Sequence, residues 1–132
     1  MDINISPQLD SLDNSLKPLK NHFNSNKQKI RFLALLSPMW PRWREQGARA
    51  VRESIINQFP EAEIIISIVW IRMLPGDSEA TAKEKAIMFN DPRVRQFYDP
   101  DQRSGKAIAE SLGYGGQVAW DIYLFHQAGR GF

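Results

Sequence analysis

A chain of 132 residues, 42% of them hydrophobic and 11% aromatic, is long enough for one domain with a buried core. The absence of cysteine excludes disulfides, thiol catalysis and cysteine-ligated metals. The net charge of +2 does not require a polyanionic partner, and no segment has the ~18 apolar residues of a membrane span. Because the N-terminus also lacks the features of a signal peptide, we expect a cytoplasmic protein without a membrane segment.

Residues 1–28 differ from the rest of the chain and form a predicted N-terminal helical or flexible extension. Ser6 and Pro7 have the pattern of a helix start. Pro18 should kink or end a helix at its position. Apolar residues recur every three or four positions through the segment, at Leu9, Leu12, Leu16, Leu19 and Phe23. The segment is expected either to pack on the domain or to act as an arm that binds a partner or a second copy.

The first core element is the apolar run from Ile30 to Leu36, which predicts a strand buried on both faces. An amphipathic helix from Trp43 to Phe59 follows a short loop. The β-branched segment from Glu63 to Met73 is the predicted second strand. A strand, a helix and a second strand in this order indicate a βαβ unit with parallel pairing.

The rest of the chain continues this alternation of helices and strands. The predicted packing face of the next helix consists of Ala82, Ala86 and Ile87. We therefore expect an α/β domain over residues 29–132, with a central mixed sheet of about four strands and helices on both faces. The remaining predicted elements are a helix from Ser78 to Asn90, a strand from Val94 to Tyr98, a helix from Gln102 to Leu112 and a strand from Val118 to Phe125.

Three segments carry a resemblance to a known family. They are Trp40-Pro41-Arg42-Trp43 at the start of the first crossover helix, Asp91 to Pro100, and Val118 to Leu124. The chain resembles the thioredoxin-like superfamily, and within it a group of poorly characterised bacterial proteins. In that family the first strand leads into a C-x-x-C motif at a helix N-terminus. Trp40 and Trp43 stand at the two cysteine positions here.

Further departures from the family pattern concern its redox chemistry and its C-terminus. Ala34 stands where redox thioredoxins have a buried acid, and the family's cis-proline maps near Trp120, which is not proline. Because disulfide exchange needs a thiolate, the resemblance implies a domain without oxidoreductase activity. The family's terminal hairpin strand and helix do not fit after Phe125. Because both do not fit there, we expect the terminal helix to be missing, replaced by the N-terminal segment, or supplied by another chain.

The predicted site is an aromatic surface at the position of the lost redox motif. If the family fold applies, Trp40, Trp43 and Trp120 cluster there, with Arg42 beside them. Such a surface suits a protein or peptide partner. Alternatively, the tryptophans only fill the space of the lost site. The residues assigned to this surface are Trp40, Pro41, Arg42, Trp43, Trp120 and Asp121.

Other functions fit parts of the pattern. The helix N-terminus with Arg42 and Asp121 could form an anion site or serve a thiol-independent enzyme. A structural oligomer could form through residues 1–28 or through an exposed sheet edge. Nucleic acid is disfavoured because Glu45 and Glu53 dilute the nearby arginines. No cofactor is predicted, and the spacing of His22 and His126 does not suggest a metal site.

Overall fold

The computed structural model of the protein describes residues 8–25, 28–39, 49, 53–54 and 64–126. Helical residues 49, 53 and 54 lie between the second and third strands, within the predicted crossover helix. In chain order, the elements are β1 (Leu9–Ser11), α1 (Lys17–Ser25), β2 (Ile30–Leu36), β3 (Ile64–Ile71), α2 (Glu79–Ala86), a 3-10 turn (Ile87–Phe89), β4 (Val94–Asp99), α3 (Arg103–Ser111) and β5 (Ile122–His126).

The strands form one mixed sheet in the order β1-β4-β3-β2-β5. Strands β1, β4, β3 and β2 pair in parallel, whereas β5 runs antiparallel to β2, with Leu33 opposite Leu124. The predicted α/β class, mixed sheet and βαβ unit are confirmed. Among the described residues the sheet has five strands, where about four were expected, because part of the N-terminal segment joins it.

The N-terminal segment is therefore not a single helical stripe. Residues 9–11 form β1, which pairs with β4 and places Asp10 opposite Phe97. Pro18 neither kinks nor ends the helix, because it lies in the first turn of α1, where a proline costs no helical hydrogen bond. Leu12, Leu19 and Phe23 are fully buried, so residues 8–25 contribute to the core of the domain.

Hydrophobic side chains cover both faces of the sheet. Alternate residues of β2 point to opposite faces, as the two-residue period of a strand requires. Phe32, Ala34 and Leu36 pack on the face covered by α2, which we call the α2 face. Leu33 and Leu35 pack on the opposite face against residues of α1 and α3, which we call the α1/α3 face.

The bounds of β2 agree with the predicted strand, and those of β3 and β4 nearly do. Ser78, where the predicted helix begins, caps α2 through a reciprocal capping box with Thr81. The prediction for Ile87 was wrong, since its side chain is 60% exposed. Helix α2 ends at Ala86, and the tighter winding of the following 3-10 turn carries Ile87 away from the packing face.

The last strand begins four residues later than predicted. Val118, Ala119 and Trp120 form a half-buried loop, and β5 starts at Ile122. Asp121 has a backbone φ of 56°, in the left-handed region. This conformation is incompatible with an extended strand, so the chain turns at Asp121 before it enters the sheet.

Candidate functional site

The carboxyl ends of the parallel strands are the natural place for a site in an open α/β sheet, because the loops that follow them meet at one edge. Strands β2, β3 and β4 end there at Leu36, Ile71 and Asp99. Strand β5 is antiparallel to β2, so its first residue, Ile122, lies opposite Leu35. The loop before β5 therefore joins the loops after β2, β3 and β4 at this edge.

The side chain of Asp77 joins two of these loops. Its carboxylate accepts hydrogen bonds from the Ser37 hydroxyl at 2.7 Å and from the Met39 backbone N–H at 2.9 Å. It also accepts from the backbone N–H groups of Met73 and Leu74. Asp77 is 6% exposed, so these donors stand in for the water that a carboxylate otherwise requires. The loop leaving β2 is thereby held in place as far as Met39.

The sequence Pro75-Gly76-Asp77 is typical of a turn and does not by itself predict this role. One usable signal was present, since an aspartate three or four residues beyond a loop amide is well placed to accept from it. The bonds to Met73 and Leu74 have this local character. The bonds to Ser37 and Met39 are long-range contacts, and no local pattern predicts them.

Trp120 and Asp121 are placed beside the end of β2. The Asp121 backbone N–H donates to the Leu35 carbonyl oxygen at 2.6 Å. Trp120 is half-buried, whereas the Asp121 side chain is exposed. Asp121 was expected within the strand from Val118 to Phe125, and the left-handed turn that precedes β5 accounts for the difference.

The loop that carries Trp120 packs against helix α3 at Gly105. The Ala119 backbone N–H donates to the Gly105 carbonyl oxygen at 2.9 Å. A Cβ atom on Gly105 would lie 2.5 Å from Val118 Cγ1 and 2.6 Å from the Ala119 oxygen. A side chain at position 105 could not be accommodated at these distances. Glycine, which has no Cβ, therefore allows the loop to approach the helix closely.

Four of the six predicted site residues, Trp40, Pro41, Arg42 and Trp43, lie outside the described residues. The described chain stops at Met39, immediately before them in sequence, and Asp77 holds that residue. Trp120 and Asp121 lie at the same edge, next to the end of β2. The structure therefore brings Trp120 beside the strand that leads to the tryptophan motif, and the predicted clustering of the tryptophans stays a prediction.

A second feature of this edge is a crevice between the loops that follow β3 and β4. Helix α2, which follows β3, packs on one face of the sheet, whereas α3, which follows β4, packs on the other. The two chain paths diverge, and such switch points commonly hold ligands. The crevice has a volume of about 460 Å³. It is lined by Arg72, Met73, Leu74, Pro75, Pro100, Asp101 and Gln102.

Both walls of the crevice are fixed by hydrogen bonds. Gln102 adopts a left-handed conformation with φ of 61°, and its Nε2 donates to the Arg72 carbonyl oxygen at 3.0 Å. Asp99 is fully buried and accepts hydrogen bonds from the backbone N–H groups of Arg103 and Ser104. Asp99 thus caps α3 internally, and those two N–H groups are not open to an external anion.

Titratable groups near the sheet show the effects of burial. The pKa of the Tyr98 hydroxyl is raised, mainly by burial. The positive charge of Arg72 opposes this rise, and nearby carboxylates add to it. Burial lowers the pKa of His22 and His126, with Arg95 and Arg31 respectively adding to the effect. Within the described ranges, no group of three or more histidine, aspartate or glutamate side chains is arranged to hold a metal ion.

Comparisons with protein-family models, curated proteins and solved structures find no match to this chain. Of the helices in the described part of the chain, none has the length and apolar character needed to span a membrane.

Proposed function

We propose that this protein is a redox-inactive thioredoxin-like domain that binds a protein or peptide at the edge where β2 ends. The partner surface comprises Trp40, Pro41, Arg42, Trp43, Trp120 and Asp121. In this proposal aromatic contact area replaces the mixed disulfide by which a redox thioredoxin holds its partner. The full sequence contains no cysteine, so a thiol-based attachment is not available.

The observation that carries the proposal is the hydrogen bond from the Asp121 N–H to the Leu35 carbonyl oxygen at 2.6 Å. This bond sets the Trp120 loop beside the strand that leads, five residues after Leu35, into Trp40. The proposal puts the tryptophan motif at the same edge of the sheet as the Trp120 loop. A half-buried tryptophan such as Trp120 keeps aromatic contact area for a partner, which favours a role in binding.

The order of elements further supports the thioredoxin-like assignment. Strand β2 lies between a parallel neighbour, β3, and an antiparallel neighbour, β5. The family resemblance places the first strand before the redox motif and the cis-proline loop before the next-to-last strand. Here β2 precedes Trp40 and the Trp120 loop precedes β5, so the same two loops would meet at the site.

The enzymatic alternative has less support from the structure. It requires Asp121 to act with Arg42 at the helix N-terminus. A general-acid carboxylate depends on surroundings that exclude water, and the Asp121 side chain is exposed. Binding therefore remains the better proposal.

Peptides selected from a random library against the full chain provide the test, because the natural partner is unidentified. Affinity of a selected peptide is then compared between the unsubstituted protein, Trp120→Ala, and the double variant Trp40→Ala, Trp43→Ala. We expect losses of about thirtyfold or more, the size typical of a tryptophan hot spot. Tyr114→Ala is the matched control, because Tyr114 is another exposed aromatic, 61% accessible, on the loop after α3.

Circular dichroism first establishes that each variant is folded. Equal peptide affinity in folded tryptophan variants and in the control would show that the tryptophans serve only packing. Failure to select any peptide that depends on these residues would likewise contradict the proposal.

A further inference from the structure

The two outer strands of the sheet differ in how they are protected. Strand β1 has three residues, and its Asp10 forms an ion pair with Arg95 of β4. Short length and charge are two devices that keep an edge from pairing with another chain. Strand β5, at the other edge of the described sheet, has five residues with the sequence Ile-Tyr-Leu-Phe-His. It contains no lysine, proline, aspartate or glutamate.

Strand β5 also presents aromatic side chains to solvent. Phe125 is 59% exposed and Tyr123 is 36% exposed. Both contact the ring of Phe32 on the α2 face, with ring centroids 4.9 Å and 5.9 Å apart. The neighbouring strand therefore holds the two rings in place while much of their surface stays accessible. Partly exposed aromatic side chains on an edge strand are a common interaction surface.

We propose that β5 pairs antiparallel with β5 of a second copy of this chain, so that the sheet continues across a two-fold axis at Leu124. In such a pair the charges of one β5 lie close to those of the other, and β5 carries no lysine, arginine, aspartate or glutamate that would oppose the contact. His126 contributes none at neutral pH, because burial lowers its pKa. An isologous contact of this kind closes after two copies.

The sequence of β5 is self-complementary in this register. Pairing about Leu124 sets Tyr123 of each copy opposite Phe125 of the other. Both aromatic pairs lie on one face of the joined sheet, since residues two apart share a face. Cross-strand aromatic pairs are among the more favourable contacts in antiparallel sheets. This dimer does not depend on the peptide-binding proposal, because its contacts come from the β5 edge and not from Trp120.

Sedimentation equilibrium of the full chain, from micromolar to sub-millimolar concentration, measures the assembly directly. We expect a monomer–dimer equilibrium, and at least about tenfold weaker association in Tyr123→Lys, Phe125→Lys. The variant Tyr123→Glu, Phe125→Lys should restore association, because each introduced carboxylate then faces an introduced ammonium of the second copy. Tyr114→Lys, which changes an exposed aromatic on the loop after α3 and outside β5, should leave association unchanged.

Cross-linking gives a second readout of the register. The chain has no cysteine, so a single introduced one can form a disulfide only between copies. Leu124→Cys should cross-link under mild oxidation, because the two substituted positions face each other at the axis, whereas Tyr114→Cys should not. A monomer at every concentration would overturn the proposal. An association constant unchanged by the double substitution Tyr123→Lys, Phe125→Lys would also overturn it. Equal cross-linking of Leu124→Cys and Tyr114→Cys would do the same.

Discussion

The hydroxyl of Ser37 donates a hydrogen bond of 2.7 Å to the carboxylate of Asp77, forty positions later in the chain. This contact ties the loop after β2 to the loop after β3. The same carboxylate also accepts from the Met39 backbone, so it organises the chain immediately before the tryptophan motif. A buried acid that accepts four hydrogen bonds is both a structural requirement and a means of shaping the proposed binding edge.

Replacing Asp77 with asparagine should destabilise the protein substantially. In the unsubstituted protein one carboxylate oxygen of Asp77 accepts from Ser37, Met73 and Leu74. Asparagine puts an NH₂ group, which cannot accept, in place of one of the two oxygens. We expect a loss of about 2–4 kcal/mol in the free energy of unfolding, measured by urea denaturation. Asp101→Asn is the control, because the Asp101 side chain is 56% exposed. Equal stability of the two variants would contradict the role assigned to Asp77.

Gly105→Ala should strain the contact between α3 and the Trp120 loop. Its new Cβ would meet Val118 Cγ1 at 2.5 Å and the Ala119 oxygen at 2.6 Å. We expect destabilisation of about 1–3 kcal/mol, as for other overpacked sites. Peptide affinity should also fall, because the loop must move. Gly115→Ala is a matched control, because no atom lies within 4 Å of its added Cβ. Unchanged peptide affinity in both variants would show that the Trp120 loop is not part of the binding site.

Loss of the Asp99 carboxylate should weaken the start of α3. The residue is fully buried and accepts from the N–H groups of Arg103 and Ser104. Asp99→Ala leaves both donors without their acceptor, and we expect a loss of about 1–2 kcal/mol in unfolding free energy. Hydrogen exchange of the α3 amides measures the local effect. Unchanged protection of the first turn of α3 would show that other groups cap this helix.

Acid should destabilise the fold through its two histidines. Burial lowers the pKa of His22 and His126 below the usual 6.5. As pH falls below 6.5, the unfolded chain binds protons that the folded chain does not, so folding stability falls until the lower folded pKa is reached. The melting temperature should therefore drop between neutral and mildly acidic pH. The double variant His22→Gln, His126→Gln should show a shallower drop, and an unchanged pH profile would exclude the histidines as its cause.

Much of the sheet could be predicted because its signals are local. The run from Ile30 to Leu36 is apolar at nearly every position, and burial on both faces of a parallel sheet requires this. The capping box at Ser78 also acts over one helical turn. Elements whose residues satisfy each other nearby leave a pattern in the sequence itself.

The secondary-structure predictions were wrong where contacts with distant residues determine the backbone conformation. Residues 9–11 continue an apolar spacing typical of a helix, yet they form a strand because they pair with β4. The ion pair between Asp10 and Arg95, 85 positions apart, stabilises this pairing. Asp121 looked like part of a strand, yet its bond to Leu35 places a left-handed turn there. Neither partner is visible in the local sequence.

The sequence by itself therefore determined the α/β class, the parallel βαβ unit and the absence of cysteine, because hydrophobic period and residue type are properties of short segments. Only the tertiary structure decided that residues 9–11 join the sheet as a strand, that Asp77 joins two loops and that Trp120 lies beside the end of β2. Those features depend on contacts between residues tens of positions apart. Their energies come from pairing and burial that exist only once the chain has folded.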